Sequence, residues 1–223
     1  MIRVAMLDDH QITLDGYFYR LEFKPDIEIV GVARFGEDLE QILETRHVDV
    51  LLLDINVPTS KENPNPYPIL FLLPRILQIY PHLSVIAITM IKQRSMIQAV
   101  MEAGASAYIL KEDYNAIRTL ESIVRGVIHH EIYISPLAEQ ALKRNTQEDT
   151  QPSLSARQLE VLSLSAAYPQ ASTAELAEKI NVAHSTLRNQ LSGAYLKLNV
   201  RNRASAIQRA QQLGLIPTDS RLG

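Results

Sequence analysis

Four short apolar runs in the first half of this chain each stop at a side chain carrying a charge or a hydroxyl. Ile2–Leu7 ends at Asp8 and Asp9, Val50–Leu53 at Asp54, Val85–Ile88 at Thr89 and Ala107–Leu110 at Lys111. A run this short, followed by a helix-period pattern, reads as a strand buried on both faces of a parallel sheet. Its polar end then lies on the sheet edge where open α/β sheets bind ligands, at the point where strand order reverses. With Ile27–Ala33 added, the candidate strands are Ile2–Asp8, Ile27–Ala33, Val50–Leu53, Val85–Thr89 and Ala107–Lys111. They alternate with helical patterns near 11–22, 36–46, 69–80, 93–103 and 114–129. Five βα units predict a doubly wound α/β domain, with a five-stranded parallel sheet covered on both faces.

Asp8, Asp9 and Asp54 brought to one edge repel one another unless something cationic joins them. A hard divalent ion with oxygen ligands, such as Mg2+, answers that need. A carboxylate held beside the ion can attack a phosphoryl group as a nucleophile. Lys111 would balance the charge of that group, and Thr89 would offer it a hydrogen bond. Alone, a strand-end Asp is more often a cap or turn residue, and a Lys after a strand is usually solvated. The phosphoacceptor reading rests on all five occurring in this order.

Composition narrows the class further. The chain of 223 residues is 46% hydrophobic and contains no Cys, so disulfides and thiolate metal sites are excluded. No apolar stretch reaches the length of a membrane span. Met1–Ala5 runs straight into a strand pattern, with no signal peptide evident, and a cytoplasmic location is expected. The net charge of −3 predicts no strong nonspecific attraction to nucleic acid, but it hides an asymmetry. Residues 1–130 hold 12 Lys and Arg against 17 Asp and Glu, a difference of −5; residues 153–223 hold 8 against 4, a difference of +4. That contrast suggests two domains with different partners.

Residues 59–68 hold three prolines and read as an irregular loop. Ser135-Pro136 opens a short helix to about Arg144. The polar stretch 145–152 reads as a flexible linker. Beyond it the pattern is wholly helical. Ser155-x-x-Gln158 and Ser172-x-x-Glu175 are capping boxes, the first with a Leu154/Leu159 staple. A third helix is expected from His184 to Leu198, and a fourth from Arg203 to Leu213 with Asn202 as cap and Gly214 as stop. Leu159, Leu162, Leu176, Ile180, Leu187, Leu191, Leu198 and Ile207 are candidates for a shared core.

These residues carry a resemblance. Asp8-Asp9, Asp54 with Pro58, Thr89, and Gly104-Ala105 before Tyr108 and Lys111 resemble a flavodoxin-like two-component receiver domain. Leu154-Ser155-x-Arg157-Gln158-x-Glu160-Val161-Leu162, Ser185-Thr186-Leu187-Arg188, Lys197-Leu198-x-Val200-x-x-Arg203 and Gly214-Leu215-Ile216 resemble a LuxR-type helix-turn-helix. Together the chain is similar to NarL/FixJ-type response regulators over nearly its whole length: receiver at 1–130, short helix and linker at 131–152, DNA-binding domain at 153–223. The resemblance implies a transcription regulator, not an enzyme, whose Asp54 accepts a phosphoryl group from a histidine kinase. It implies Mg2+ held by Asp8, Asp9, Asp54 and the Asn56 backbone carbonyl, with Thr89 and Lys111 on the phosphoryl oxygens. Tyr108 would be a switch aromatic that follows Thr89 inward.

Three departures stand out. The usual P-x-x-x-G after the acceptor is replaced by the longer Pro-rich stretch 58–68. The turn Ala167–Ser172 is about two residues longer than the family pattern. Ala183 stands where a Ser or Thr usually caps the recognition helix, a loss of about 0.5–2 kcal/mol.

In a helix from His184, the stripe Leu187, Leu191, Tyr195 and Leu198 turns to the core. Ser185, Arg188, Asn189 and Ser192 then face outward as a base-reading set for double-stranded DNA, with Thr186, Lys197 and Arg203 better suited to phosphates. An ordinary solvated helix face is the plainer account of any one of them. The modest positive charge argues for a homodimer on paired half-sites. Two other functions compete with this reading. A haloacid-dehalogenase-type phosphatase needs an Asp where Asn56 stands. An atypical receiver, answering to protein contact or a small molecule, would keep the fold without the phosphorylation.

Overall fold

The computed structural model describes residues 1–143 and 152–218. Six strands form one parallel sheet: β1 (Ile2–Leu7), β2 (Ile27–Ala33), β3 (Val50–Leu53), β4 (Ser84–Thr89), β5 (Ala107–Leu110) and β6 (Tyr133–Ile134). Their order is β2-β1-β3-β4-β5-β6, which places the reversal of winding between β1 and β3. Side chains alternate between two cores as the pleat requires. Val4 and Met6 of β1 join one core with helices α1 (Gln11–Leu21), α5 (Tyr114–Arg118) and α6 (Leu120–Val127). Ala5 and Leu7 join the other with α2 (Gly36–Thr45), α3 (Ile69–Ile79) and α4 (Arg94–Glu102). Burial on both faces is why these strands are continuous runs of Val, Ile, Leu and Ala.

Two expectations need correction. The sheet has six strands, not five, because Tyr133-Ile134 pairs in parallel with Ala107-Tyr108 and covers the outer edge of β5. A two-residue strand leaves almost no periodic trace in a sequence. The pattern over 114–129 is two helices rather than one. Thr119 leaves the helical region at φ −101°, ψ 20°, and its hydroxyl donates back to the carbonyls of Asn115 and Ala116.

The helix α7 (Pro136–Lys143) follows the Ser135-Pro136 start. It is pinned by buried Asp113, which accepts from Leu137 N at 3.1 Å while capping α5 through Ala116 N. The expected linker 145–152 lies, but for Pro152, outside the described residues.

The C-terminal helical domain contains α8 (Ala156–Ala167), α9 (Thr173–Lys179), α10 (His184–Leu198) and α11 (Arg203–Gln212). Both capping boxes form, and Asn202 caps α11 through Ser205 N at 2.8 Å. Of the expected core, Ile207 is only half-buried and the rest are buried; Leu215 and Ile216 join them after the stop at Gly214. Ala183 leaves α10 without a side-chain cap.

The Pro-rich segment is a loop with its own hydrogen bonds: Thr59 N to Asn65 O and Ser60 N to Asn63 O, with a bridge between Pro58 and Pro66. Tyr67 anchors its end, buried where Gly36 lacks a side chain and donating to Glu40 at 2.9 Å. From this loop Asn63 reaches the helical domain, its Nδ2 donating to Ala167 O at 3.2 Å. Arg75 of α3 donates to Lys179 O at 3.2 Å. Between these points α8 lies against α3 and α4. With one face in its own domain and another on the receiver half, α8 is buried almost all round, and even Ser163 and Ser165 are covered.

Candidate functional site

Strand register assembles the acidic edge. Leu7 pairs with Leu53, so Asp8 and Asp54 emerge side by side, and Asp54 N donates to Leu7 O at 2.8 Å. Thr89 pairs with Leu110, which puts Lys111 next to it. All five residues singled out by the strand-end pattern therefore meet at one end of the sheet.

The charges are tightly coupled. Lys111 Nζ lies 2.7 Å from Asp54 Oδ2 and 2.6 Å from Asp8 Oδ2. The ammonium thus bridges the two carboxylates, and both contacts are charge-assisted. The other oxygens of the pair accept backbone N–H groups: Asp8 Oδ1 from His10 at 2.9 Å, Asp54 Oδ1 from Asn56 at 3.1 Å. Burial raises the Asp8 carboxyl above its ordinary range, Asp54 adds to the rise, and Lys111 only partly opposes it. For Lys111, burial works against the charge, but Asp54 and Asp8 outweigh it and hold the ammonium above its ordinary value.

Ligand atoms of Asp8, Asp9, His10 and Asp54 lie within 4.8 Å of one another. Within the chain, Asp8 Oδ2 meets the Lys111 ammonium and Asp9 Oδ1 meets the His10 ring. Hard carboxylate oxygens gathered around a raised carboxyl fit a cation such as Mg2+. The strand-end reading missed His10, whose Nδ1 stands 2.8 Å from Asp9 Oδ1; its place directly after Asp9 was the available signal.

Thr89 is fully buried, and its Oγ1 accepts weakly from Ile91 N at 3.4 Å. Tyr108, the expected switch aromatic, is inward in this structure. It is fully buried, with its hydroxyl donating to Ile91 O at 2.6 Å. Burial and the nearby Asp54 charge hold that phenol protonated, well above its ordinary range. Asn56 also lines the cleft, and its buried side-chain oxygen has no hydrogen-bond partner among the described residues.

A second surface lies on α10. Ser185, Thr186, Arg188, Asn189 and Ser192 are all exposed, while Leu187, Leu191 and Leu198 are buried and Tyr195 half-buried. The outward set therefore shares one face, as the helical spacing requires, and the receiver half does not cover it. Two expected phosphate contacts are engaged within the protein: Lys197 Nζ with Gln158 Oε1 at 3.1 Å, and Arg203 with Pro169 O at 2.9 Å. No helix among the described residues is long and apolar enough to cross a membrane.

Comparison with known proteins matches both halves. Residues 4–122 fit the response regulator receiver domain, and residues 152–210 fit the bacterial regulatory proteins of the luxR family. The chain is 28% identical to the transcriptional regulatory protein DegU of Brevibacillus brevis, covering 96% of this chain and 95% of that one. It is 27% identical to the oxygen regulatory protein NreC of Staphylococcus carnosus, covering 96% and 99%. Among solved structures, RcsB of Salmonella enterica serovar Typhimurium, bound to the P1flhDC promoter with the phosphomimetic BeF3−, aligns with a TM-score of 0.60. That alignment covers 95% of this chain and 98% of RcsB, and at 24% identity it shows the shared fold.

Proposed function

This chain belongs to the NarL/FixJ-type response regulators, and from that premise we propose that it is a DNA-binding transcription regulator gated by phosphorylation of Asp54. The observation that carries the reading is the Lys111 ammonium between Asp54 and Asp8, at an edge where carboxylate oxygens of Asp8, Asp9 and Asp54 lie within 4.8 Å of one another. We place the receiver at 1–130, the connector at 131–152 and the DNA-binding domain at 153–223.

Asp54 attacks the phosphorus of a phosphohistidine on a partner kinase. The P–N bond breaks, and the imidazole nitrogen keeps its electron pair and takes a proton. Asp8 and Asp9, with Asp54 and the Asn56 carbonyl, would hold Mg2+, which would supply charge neutralisation to the transferred group. Lys111 turns from the carboxylates to a phosphoryl oxygen, and Thr89 donates its hydroxyl to another. Tyr108 is already seated, so Thr89 moves toward the acceptor over a ring that stays where it is.

For output, Ser185, Arg188, Asn189 and Ser192 read bases in the major groove. Arg188 suits guanine O6 and N7, and Asn189 suits adenine N6 and N7. Thr186 contacts phosphate, as do Lys197 and Arg203 after release from their internal partners. RcsB bound to a promoter has the same fold. A homodimer is favoured by helix α1 and the turn after it, which leave Ile12, Tyr19 and Phe23 largely exposed near α6. The protein works in the cytoplasm, where promoter DNA is found.

Acetyl phosphate with Mg2+ is expected to label the wild-type protein, and Asp54→Ala or chelation of the metal is expected to abolish labelling. Undiminished labelling of Asp54→Ala would remove the assignment.

A further inference from the structure

Leu196 belongs neither to a core nor to either site described above. Among the described residues of the helical domain it is the one large apolar side chain left exposed, at 83%. Leu187, Leu191 and Leu198 of the same helix are buried. The domain therefore covers its hydrocarbon everywhere else and presents it here.

The place of Leu196 on α10 gives that exposure a meaning. At about 100° per residue, Ser185, Asn189, Ser192 and Leu196 fall within a sector about 60° wide, with Leu196 near its middle. All four are exposed. The outward face thus does not stop at Ser192. It runs on for about another 6 Å along the helix axis and ends in hydrocarbon. Lys197, the next residue, is turned about 100° away toward α8, where it meets Gln158 Oε1 at 3.1 Å. A Lys197 released onto a phosphate of the groove wall leaves Leu196, at the same level of the helix, directed toward the base edges.

The major groove offers a side chain donors, acceptors and one apolar substituent, the thymine C5-methyl. A leucine pressed against any other base edge strips water from a polar atom and returns no hydrogen bond. Against the methyl group it removes two apolar surfaces from water at once. We propose that Leu196 is a specificity-determining residue that packs on a thymine methyl at the end of the half-site nearest the C-terminus of α10, beyond the bases reached by Ser192. The proposal rests on α10 being the reading helix. It extends that reading to a side chain with no hydrogen-bonding group, and it selects by penalty against the other bases as much as by attraction to thymine.

The test starts from duplexes selected out of a random pool by the full chain with beryllofluoride and Mg2+. Each thymine of the selected site is replaced in turn by deoxyuridine, which removes the methyl group and keeps every hydrogen-bonding atom. At one thymine the replacement is expected to weaken wild-type binding about fourfold, the equivalent of one buried methyl group. Leu196→Ala should bind the unmodified site more weakly, and at that thymine deoxyuridine should cost it nothing more, since the two changes remove one contact. Selection repeated with Leu196→Gln should lose the thymine preference at that base pair and keep the others. Being exposed, Leu196 can be replaced without loss of the fold, and equal melting temperatures check this. A deoxyuridine cost that is the same in wild type and Leu196→Ala at every thymine would overturn the proposal. So would a selected site with no thymine preference at that end, or a Leu196→Ala defect that sedimentation traces to loss of the dimer on DNA. In those cases α10 remains the reading helix. Failure of the folded wild type to enrich any sequence would overturn the reading helix and this proposal with it.

Discussion

Asp8 bears a cost that its neighbours do not relieve. Its carboxyl is raised by burial and then by the Asp54 charge, and Lys111 offsets only part of this. A raised acid is destabilising in its charged form at neutral pH, and that penalty is lost as pH falls through the raised folded value. Asp8→Asn is therefore expected to melt at a higher temperature than wild type in metal-free buffer near neutrality. Each kcal/mol of relief is worth about 2–4 °C in a chain of this length. The gain should shrink toward zero on acidification; a thermal-melt series in EDTA across acidic to neutral pH checks both parts. The clustered carboxylates were legible in the sequence because strand ends announce themselves: an apolar run stops and a polar side chain follows. His10 and Tyr108 were less legible. The place of His10 at the cluster depends on loop direction, and the inward seat of Tyr108 depends on a hydrogen bond to the Ile91 carbonyl. Neither leaves a periodic mark.

Helix starts show how local chemistry becomes element stability. Ser155 and Ser172 close full capping boxes, and Asn202 caps α11, all as their spacing implies. The exception is α10, where Ala183 has extended backbone, φ −62° and ψ 140°, suited to a cap but no side-chain oxygen to make one. Ala183→Ser should supply that bond and stabilise the helical domain by about 0.5–2 kcal/mol, read from denaturant midpoints at constant slope. No gain would mean that the start of α10 is fixed by packing alone. Elements with a strong period or a cap were legible, and those held by tertiary contact were not. The two-residue β6 exists because β5 has an edge to cover, and the break at Thr119 is set by a hydroxyl turning back on its own helix. The Pro-rich loop was legible as a loop, but its reach to Ala167 through Asn63 links residues 104 apart in sequence, beyond any local pattern.

At the scale of the whole molecule, the two domains meet through α8, the Pro-rich loop and the segment after α11, while the proposed reading face of α10 stays exposed. That geometry separates two ways in which phosphorylation could raise DNA affinity. If docking hid the reading residues, a phosphoryl mimic would strengthen binding to a single half-site. If the reading face is always open, the mimic can act only by bringing two chains together, and its effect should need two half-sites. Joining two weakly basic domains makes the second contact intramolecular, with a gain set by effective concentration rather than by new contacts. The full-length protein should therefore bind a single half-site with the same affinity with and without beryllofluoride and Mg2+. On properly spaced paired half-sites the mimic should raise affinity, and the complex should sediment as a dimer. Both affinities should fall steeply with salt as counterions are released. Fluorescence anisotropy on the two DNAs, with sedimentation on the same samples, makes the comparison. A rise on the single half-site with the protein still monomeric would show that docking restrains the reading helix after all, and would shift the gate from dimer formation to domain release.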